Sequence, residues 1–195
     1  MRKLIISEFM TLDGVIQAPG GADEDRDNGF AHGGWTMPYW HDDIGKHFLS
    51  LMQDVDAFLL GRRTYVGHAE AFEPLPPGDP FGDVMNAPAK YVVSKTLEKP
   101  TWRNTTIIRD NVVAEVRALK AQAGKSIVTD GSSKLVHTLL AHDLVDELHL
   151  LLYPLTVGGG KRLFPENVHT RFTLKGATPY PTGVVGLHYV RESSR

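Results

Sequence analysis

The feature that most constrains the fold is an order of elements that occurs twice, in which a short apolar run stops at a glycine and a helical pattern follows. Residues 55–60 form one such run, closed by Gly61, and apolar residues then recur about one helical turn apart. The segment KSIVTDGSS, residues 125–133, repeats this order. Regular alternation of strands and helices predicts a parallel sheet with right-handed crossovers.

The two ends of the chain add strands of different kinds. Residues 3–9 form a Leu/Ile-rich run that predicts the first strand. The closing part, residues 146–164, 170–180 and 184–192, has strand-like segments without helical patterns between them, which favours antiparallel pairing. A chain of 195 residues is long enough for one well-buried core and short for two. We therefore predict a single α/β domain over residues 1–195, with a mostly parallel central sheet and antiparallel C-terminal strands.

Loops and helix starts can be assigned between these strands. Residues 17–40 are dominated by Gly, Asp, Pro and aromatic residues, which predicts a long loop. A helical stripe begins at Asp42 or Asp43, one of which we expect to cap the helix. Residues 73–83 contain several prolines and glycines and predict a second loop. Asn111 is expected to cap the helix that follows it.

The composition excludes several classes of function. With 21 Lys and Arg against 23 Asp and Glu, the net charge of -2 leaves no global positive field for nucleic acid, whose binding proteins usually carry a basic face. The sequence has no apolar stretch long enough to cross a bilayer, and its first residues lack the apolar region of a signal peptide. We therefore expect a cytoplasmic protein with neither nucleic acid nor membrane as partner. Because cysteine is absent, disulfides, thiolate catalysis and Cys-ligated metals are excluded.

The nine histidines do not predict a metal site. The H-E-x-x-H spacing of many zinc enzymes does not occur in the sequence. His137 and His142 are five residues apart on one predicted helix and do not share a face, as two zinc ligands would. We expect most histidines to be surface or packing residues, with no bound metal.

The first glycine turn carries Arg62, Arg63 and Thr64 at a strand-to-helix junction. In open α/β sheets ligands bind outside the carboxyl ends of the strands, and the free N–H groups of a helix start suit anions. A phosphate group is therefore the expected guest. A solvated turn with an arginine pair on its rim is the alternative interpretation.

The segments TLDGVI, LLGRRTY, YVVSKTL and VTDGSSKLVHTLLAHDLVDELHLLLYPLTVGGGKRLF, with the order of the elements, resemble the dihydrofolate reductase-like fold. More specifically, the chain is similar to the family that pairs this fold with the reductase domain of bacterial riboflavin biosynthesis. The resemblance covers nearly the whole chain, and the last segment is the most specific. It implies a three-layer α/β fold with helices on both faces of the sheet, and an NADPH site.

The resemblance implies particular contacts to this cofactor. Arg62 would face the 2′-phosphate, with Arg63 and Thr64 near the pyrophosphate. Ser94 and Lys95 match a second turn that flanks the adenosine phosphate. Because arginine makes strong charge-assisted contacts with a doubly charged phosphate, Arg62 favours NADPH over NADH. The implied cofactor-binding residues are Gly61, Arg62, Arg63, Thr64, Ser94, Lys95, Gly131, Ser132 and Ser133.

The third implied contact is the DGSSKL turn. Gly131 would let the backbone approach the diphosphate, and a helix capped by Ser132 or Ser133 would offer its first N–H groups. Members of the family commonly have a second glycine where Ser132 stands. A hydroxyl therefore either shifts this approach or takes part in it.

Two other parts of the sequence have open interpretations. Residues 157–164, VGGGKRLF, favour a flexible turn over a phosphate cradle, because no clear helix follows the glycines. Trp35, Tyr39 and Trp40 either stack on a flat heterocycle or fill the core beneath the loop, since aromatic side chains do both.

Three aspartates are candidates for catalysis. Folate-reducing members of the resembled fold carry one buried acid early in the helix after the first long loop, and Asp42 and Asp43 occupy that neighbourhood. We expect one of them to be buried against Trp40 and Tyr39, with a raised pKa, and the other to cap the helix. Asp13 is the third candidate, because the resemblance places TLDGVI near the nicotinamide. Local hydrogen bonds in an Asp-Gly turn are the alternative for Asp13.

These features favour an NADPH-dependent reductase of a small pterin- or aminopyrimidine-like heterocycle. The resemblance implies an activity similar to that of 5-amino-6-(5-phosphoribosylamino)uracil reductase or dihydrofolate reductase. An NADP(H)-binding protein without turnover is the alternative. The riboflavin-pathway enzyme proper is disfavoured, because a fused deaminase domain with zinc-binding cysteines is not expected in a cysteine-free chain. Residues 145–157 predict an apolar strand near a sheet edge, so we expect a homodimer that buries it, as the resemblance also implies.

Overall fold

The computed structural model describes residues 1–192, so the last three residues of the predicted domain lie outside the described part. The strands are β1 (Leu4–Thr11), β2 (Val55–Gly61), β3 (Ala89–Val93), β4 (Thr105–Ile108), β5 (Ser126–Thr129), β6 (Glu147–Tyr153), β7 (Phe172–Pro179) and β8 (Val185–Arg191). The helices are α1 (Asp42–Met52), α2 (Arg62–Phe72), α3 (Pro80–Asn86), α4 (Val112–Ala121) and α5 (Ser133–Ala141), with short 3₁₀ helices at Asp27–Gly29 and Met37–Tyr39.

All of these strands belong to one eight-stranded sheet with the order β4-β3-β2-β5-β1-β6-β8-β7. In this sheet order, the first six strands, from β4 to β6, pair in parallel. β8 pairs antiparallel with both β6 and β7. The predicted mostly parallel sheet with antiparallel C-terminal strands is therefore confirmed. One detail differs, since β6 lies inside the sheet and runs parallel to β1, not near an edge as expected from its sequence.

Apolar side chains of the parallel part of the sheet alternate between two buried clusters, one on each face. Leu4 and Ile6 pack in one cluster with the apolar faces of α4 and α5, whereas Ile5 between them packs in a second cluster. Tyr65 of α2 and Met85 of α3 belong to that second cluster. Complete burial of one such side chain stabilises the fold by about 1.5–3 kcal/mol. Helices thus cover both faces, as a three-layer fold requires.

The helix α3 was not expected, because residues 73–83 predict a loop. Asp79 caps this helix by accepting hydrogen bonds from the Phe81 and Gly82 amides at 3.0 and 2.7 Å. Pro80 occupies the first helical position, where its missing N–H costs nothing. The Asp-Pro pair was the signal for a helix start within a segment rich in helix breakers.

The caps of three other helices also differ from expectation. Neither Asp42 nor Asp43 caps α1, because the His41 ring Nδ1 accepts the hydrogen bond from the Asp43 amide at 3.2 Å. Asn111 precedes α4 as expected, but its side chain makes no capping hydrogen bond and its φ is +52°. Ser132 precedes α5 in the same way, with a φ of +70° and no side-chain cap. The sequence therefore predicted where these helices begin, but its predicted capping hydrogen bonds are wrong.

Within residues 1–192 the structure contains no helix with the length and apolar character needed to cross a membrane.

Candidate functional site

A cavity of about 840 Å³ lies at the carboxyl ends of β1, β2 and β5. Ser7, Glu8 and Phe9 of β1 line it, as do residues 61–64 after β2 and residues 130–135 after β5. The long loop between β1 and α1 closes another side with residues that include Gln17, Pro19, Glu24, Asp25 and Asp27. This is the sheet edge at which open α/β folds bind ligands.

Two helix N-termini open on this cavity. α2 begins at Arg62, directly after Gly61, and α5 begins at Ser133, directly after Ser132. The first N–H groups of a helix have no partner within the helix, and its dipole places positive charge at that end. Neither start has a side-chain cap. The two turns therefore present backbone donors suited to phosphate oxygens.

The two turns are held together by close packing of small groups. Thr64 Oγ1 and Ser132 Oγ lie 3.0 Å apart, within hydrogen-bond distance. A Cβ added to Gly61 would overlap the Ser132 hydroxyl, and one added to Gly131 would lie 2.8 Å from Thr64 Oγ1. Both glycines are thus required by the contact between the turns. Ser132 fills the space that Gly61 leaves.

The two arginines of the first turn have different surroundings. Arg62 is exposed on the cavity wall and makes no hydrogen bond or ion pair within residues 1–192. Arg63 instead pairs with Asp27 and, at 3.3 Å, with Asp25 of the long loop. Lys161 pairs with the same two aspartates, 2.8 Å from Asp27. Hydrogen bonds from Arg63 and then Lys161 lower the pKa of Asp27 to about 2.

Arg63 therefore connects α2 to the long loop that closes the cavity. Among the described residues, Arg62 has no acidic partner, so its charge is available to an anion. Of residues 157–164, Lys161 lines the cavity, and the three glycines of that segment do not.

Ser94 and Lys95 do not line the cavity. Of their segment, Val93 lines it. The Ser94 hydroxyl accepts hydrogen bonds from the Thr96 and Leu97 amides at 3.2 and 2.9 Å. Lys95 is largely exposed and lies 3.4 Å from an Asp110 carboxylate. Both predicted cofactor contacts are therefore engaged in local structure.

The expectation of a buried acid at Asp42 or Asp43 is wrong. Asp42 is exposed in the first turn of α1, and Asp43 accepts a hydrogen bond from Lys46 at 2.7 Å. That hydrogen bond lowers the pKa of Asp43, opposite to the expected direction. Trp40, expected to bury one of them, is itself 48% exposed. Neither aspartate lines the cavity, because the helix begins after His41 and its first turn faces solvent.

Asp13 connects two turns of the chain through the hydrogen bonds that its carboxylate accepts. Its carboxylate accepts hydrogen bonds from the Thr11 hydroxyl at 2.6 Å and from the Gly158 and Val157 amides at 2.9 and 3.3 Å. The Thr11 hydrogen bond is the main cause of its lowered pKa. The carboxylate joins its own turn to segment 157–164, away from the cavity wall.

The aromatic residues of the long loop mostly fill the core. Trp35 and Tyr39 pack edge-on against Tyr153, with ring centroids 5.2 and 6.0 Å from it. The Trp35 indole N–H donates to the Gln17 carbonyl at 2.8 Å. Trp35, Tyr39 and Trp40 are all absent from the cavity wall, so the core interpretation holds for Trp35 and Tyr39.

Glu8 is a site residue that the sequence analysis missed. Its side chain lies in the cavity floor, and Oε1 is buried without a hydrogen-bond partner among the described residues. Burial raises the pKa of Glu8 well above its ordinary value, and the charge of Asp130 adds to this shift. The Gly131 amide offsets a part of it. Glu8 therefore keeps its proton at pH values at which an exposed glutamate has lost it.

Asp130 and His68 form a pair beside Glu8. His68 Nε2 lies 2.9 Å from Asp130 Oδ2, while Asp130 Oδ1 is buried without a partner in residues 1–192. Burial alone would lower the pKa of His68, but the charge and hydrogen bond of Asp130 raise it overall. Glu8 Oε1 and Asp130 Oδ1 are thus two carboxyl oxygens beside the cavity that are buried without a partner among the described residues.

Comparisons with known proteins agree with this architecture. The sequence profile of the family described as RibD C-terminal domain matches residues 2–186. The uncharacterized proteins YyaP and YwjB of Bacillus subtilis (strain 168) are each 28% identical to the chain over 193 residues. The alignment covers 96% of this chain and 94% of YyaP, and 97% of this chain and 98% of YwjB.

Three solved structures share the fold. A putative riboflavin biosynthesis protein from Shewanella sp. PV-4 has a TM-score of 0.68 at 20% identity, covering 98% of this chain and 99% of its own. A pyrimidine reductase-like protein from Corynebacterium diphtheriae has a TM-score of 0.69 at 15% identity, covering 99% and 93%. Dihydrofolate reductase from Enterococcus faecalis, complexed with NADP(H) and RAB-propyl, has a TM-score of 0.64 at 18% identity, covering 98% and 97%. The predicted dihydrofolate reductase-like fold is therefore confirmed.

Proposed function

The chain belongs to the RibD C-terminal domain family, and from this premise we propose that it is an NADPH-dependent reductase of a small heterocycle of pyrimidine or pterin type. Membership of this family supports an oxidoreductase. Two of the structural neighbours are a pyrimidine reductase-like protein and a dihydrofolate reductase bound to NADP(H). The finer assignment, to cofactor and substrate class, depends on the chemistry of the cavity.

The observation that carries the cofactor assignment is the position of Arg62 in the first turn of α2, on the wall of a cavity that the N-terminus of α5 also lines. The N-termini of α2 and α5 face one cavity, and their N–H groups suit a diphosphate. Arg62 adds a fixed positive charge that no carboxylate neutralises within the described residues. A 2′-phosphate, with nearly two negative charges, matches that guanidinium, so NADPH is favoured over NADH. Bound NADPH would supply the hydride for the reduction.

The cavity also offers an acid for the accompanying proton. Glu8 lies in the cavity floor, with a raised pKa caused by burial and by the charge of Asp130. A carboxylic acid with a raised pKa keeps its proton to higher pH than an ordinary glutamate, and it is therefore suited to protonate a reduced ring atom. The Asp130–His68 contact holds Asp130 in place beside Glu8. We assign to Glu8 the proton-donating role that the sequence analysis gave to Asp42 and Asp43.

The substrate class follows from the unpartnered oxygens of the cavity. Glu8 Oε1 and Asp130 Oδ1 are buried without hydrogen-bond partners among residues 1–192. A protonated Glu8 donates a hydrogen bond and Asp130 accepts one, so a heterocycle with both a ring-nitrogen acceptor and an amino N–H donor would match the pair, and aminopyrimidines and pterins carry both groups. A fully apolar substrate would leave both oxygens unsatisfied. These oxygens therefore favour an amino-substituted heterocycle.

The experiment that tests this proposal measures NADPH consumption with a panel of aminopyrimidines, pterins and dihydrofolate. NADPH binding is measured in parallel by the change in cofactor fluorescence. Turnover with at least one aminopyrimidine or pterin supports the reductase. Tight NADPH binding without turnover on any member would instead support the alternative, a cofactor-binding protein without catalysis. Failure to bind NADPH would contradict both.

A further inference from the structure

Three side chains form a cluster on one face of the sheet, separate from the cavity wall. Glu147 and His149 are two residues apart on β6 and so point to the same side. His188 on β8 is the direct cross-strand partner of His149. Their potential ligand atoms all lie within 4.8 Å of one another. Strand pairing thus brings His188 beside two residues that lie far from it in the sequence.

The distances within this cluster fit a shared metal ion. Glu147 Oε2 lies 3.2 Å from His149 Nε2 and 3.1 Å from His188 Nε2. Two ligand atoms bound tetrahedrally to zinc at about 2.1 Å are about 3.4 Å apart. The observed separations are within a few tenths of an ångström of that value. A shift of the imidazole rings by a few tenths of an ångström, which lengthens both separations from Glu147 Oε2, would therefore allow all three atoms to bind one ion.

The burial and charge of the cluster also suit a cation. The Glu147 side chain is 8% exposed and the His149 side chain 15%. The second carboxylate oxygen of Glu147 is held by Lys3 Nζ at 2.7 Å, which fixes the carboxylate and leaves Oε2 for the metal. The His149 and His188 rings lie 4.2 Å apart, a distance at which two charged imidazoliums would repel each other. A divalent ion binds both rings in their neutral form.

We propose that Glu147, His149 and His188 bind one divalent transition-metal ion, with Zn²⁺ as the best fit. Two imidazole nitrogens and one carboxylate oxygen are a common three-ligand set for zinc, with the fourth position open to water. The partial exposure of His188 gives that position access to solvent. The metal would clamp β8 to β6 at the junction of the antiparallel and parallel parts of the sheet.

The site is independent of the proposed reductase function. None of the three ligands lines the cavity, although His149 pairs in the sheet with Ser7, which does. Metal binding at this cluster therefore requires no cofactor. NADPH binding is expected to be the same with and without zinc, so the two proposals can fail separately.

The test is zinc titration of the full chain after removal of metals with a chelator, using competition with a chromophoric zinc indicator. Wild-type protein is expected to bind one Zn²⁺ per chain, and zinc is expected to raise its melting temperature. His188→Ala is expected to weaken zinc binding by at least about tenfold, because even the loss of a residue that only hydrogen-bonds to a metal ligand weakens binding by that factor. His142→Ala, at an exposed histidine outside the cluster, is the matched control and is expected to bind as wild type does.

A second measurement separates ligation from a folding defect. Co²⁺ replaces Zn²⁺ in the wild-type protein and in His149→Ala and His188→Ala variants that retain their far-ultraviolet circular dichroism. A visible spectrum typical of four-coordinate cobalt in wild type, lost in both variants, supports the site. Equal zinc affinity in wild type and His188→Ala, or no binding by wild type, would overturn the proposal and leave Glu147 as a hydrogen-bond acceptor for two histidines.

Discussion

The side-chain oxygens of Thr64 and Ser132 lie 3.0 Å apart, and this contact joins the first turn of α2 to the turn before α5 on the cavity wall. The contact exists because Gly61 and Gly131 leave room for the opposing side chains. Two helix N-termini thereby converge on one space. The geometry of the proposed phosphate site therefore depends on two glycines and one hydroxyl pair.

Gly61→Ala tests this packing. The φ of Gly61 is −78°, which alanine adopts freely, so any cost comes from overlap of its Cβ with the Ser132 hydroxyl. We expect Gly61→Ala to lower the free energy of unfolding by about 1–3 kcal/mol, as overpacking does. Ser132→Gly in the same chain removes the overlap and is expected to recover part of the loss. Urea unfolding of the two single variants and the double variant measures this coupling. Strict additivity would show that the two turns do not touch as described.

Glu8 is expected to make stability depend on pH in a defined direction. Its folded-state pKa is raised, so its contribution is fully present below its unfolded pKa of about 4.3 and is lost as pH rises through the folded value. Glu8→Gln removes this dependence. The free energy of unfolding of the variant, minus that of wild type, is therefore expected to increase as pH rises above about 4.3. Glu166→Gln, at an exposed glutamate, is the control for the substitution itself.

The same substitution tests the proposed proton donor. Glu8→Gln is expected to bind NADPH as wild type does and to lower kcat on a verified heterocycle by about 10²–10⁴-fold. Asp43→Asn is the comparison, because Asp43 lies on the surface in contact with Lys46, and its kcat is expected to be unchanged. Loss of activity in Asp43→Asn with full activity in Glu8→Gln would return the catalytic role to α1.

We expect a homodimer, for a reason different from the one that the sequence suggested. β6 lies inside the sheet, but β7 is an edge strand whose residues after Phe172 are all exposed. A long uncovered edge strand is an association hazard unless a partner covers it. Light scattering is expected to give a dimer mass for wild type and a lower mass for Leu174→Lys. Leu12→Lys, at another exposed leucine, is the control and is expected to remain dimeric. A wild-type monomer would rule the dimer out.

The sequence predicted most of the fold because its signals were local. The apolar runs before Gly61 and Gly131 defined strand-to-helix turns without any knowledge of distant residues. The same local signals were insufficient for α3, whose Asp79-Pro80 start lies in a segment rich in helix breakers. They also placed β6 near an edge, because a sequence does not show which strands flank a given strand.

The candidate site was predicted less completely, since it depends on contacts between distant segments. The turn alone indicated the pair of Arg62 and Arg63, and only the family resemblance singled out Arg62 as the contact to a 2′-phosphate, which stays a prediction. Glu8 was missed, because its raised pKa arises from burial and from Asp130, 122 positions later in the numbering. The cluster of Glu147, His149 and His188 was missed because spacing rules for helices were applied to the histidines. Two of its members alternate on one strand, and the third comes from the strand beside it.

The central claim is that the cavity binds NADPH through recognition of its 2′-phosphate by Arg62. Fluorescence titration of wild type and Arg62→Ala with NADPH and NADH tests it most directly, with Lys95→Ala as the control for an exposed cation outside the cavity. We predict that Arg62→Ala weakens NADPH binding by about 1.5–3 kcal/mol, the scale of a hydrogen bond to a charged group, and leaves NADH binding nearly unchanged. Equal losses for both cofactors, or none for NADPH, would contradict the claim.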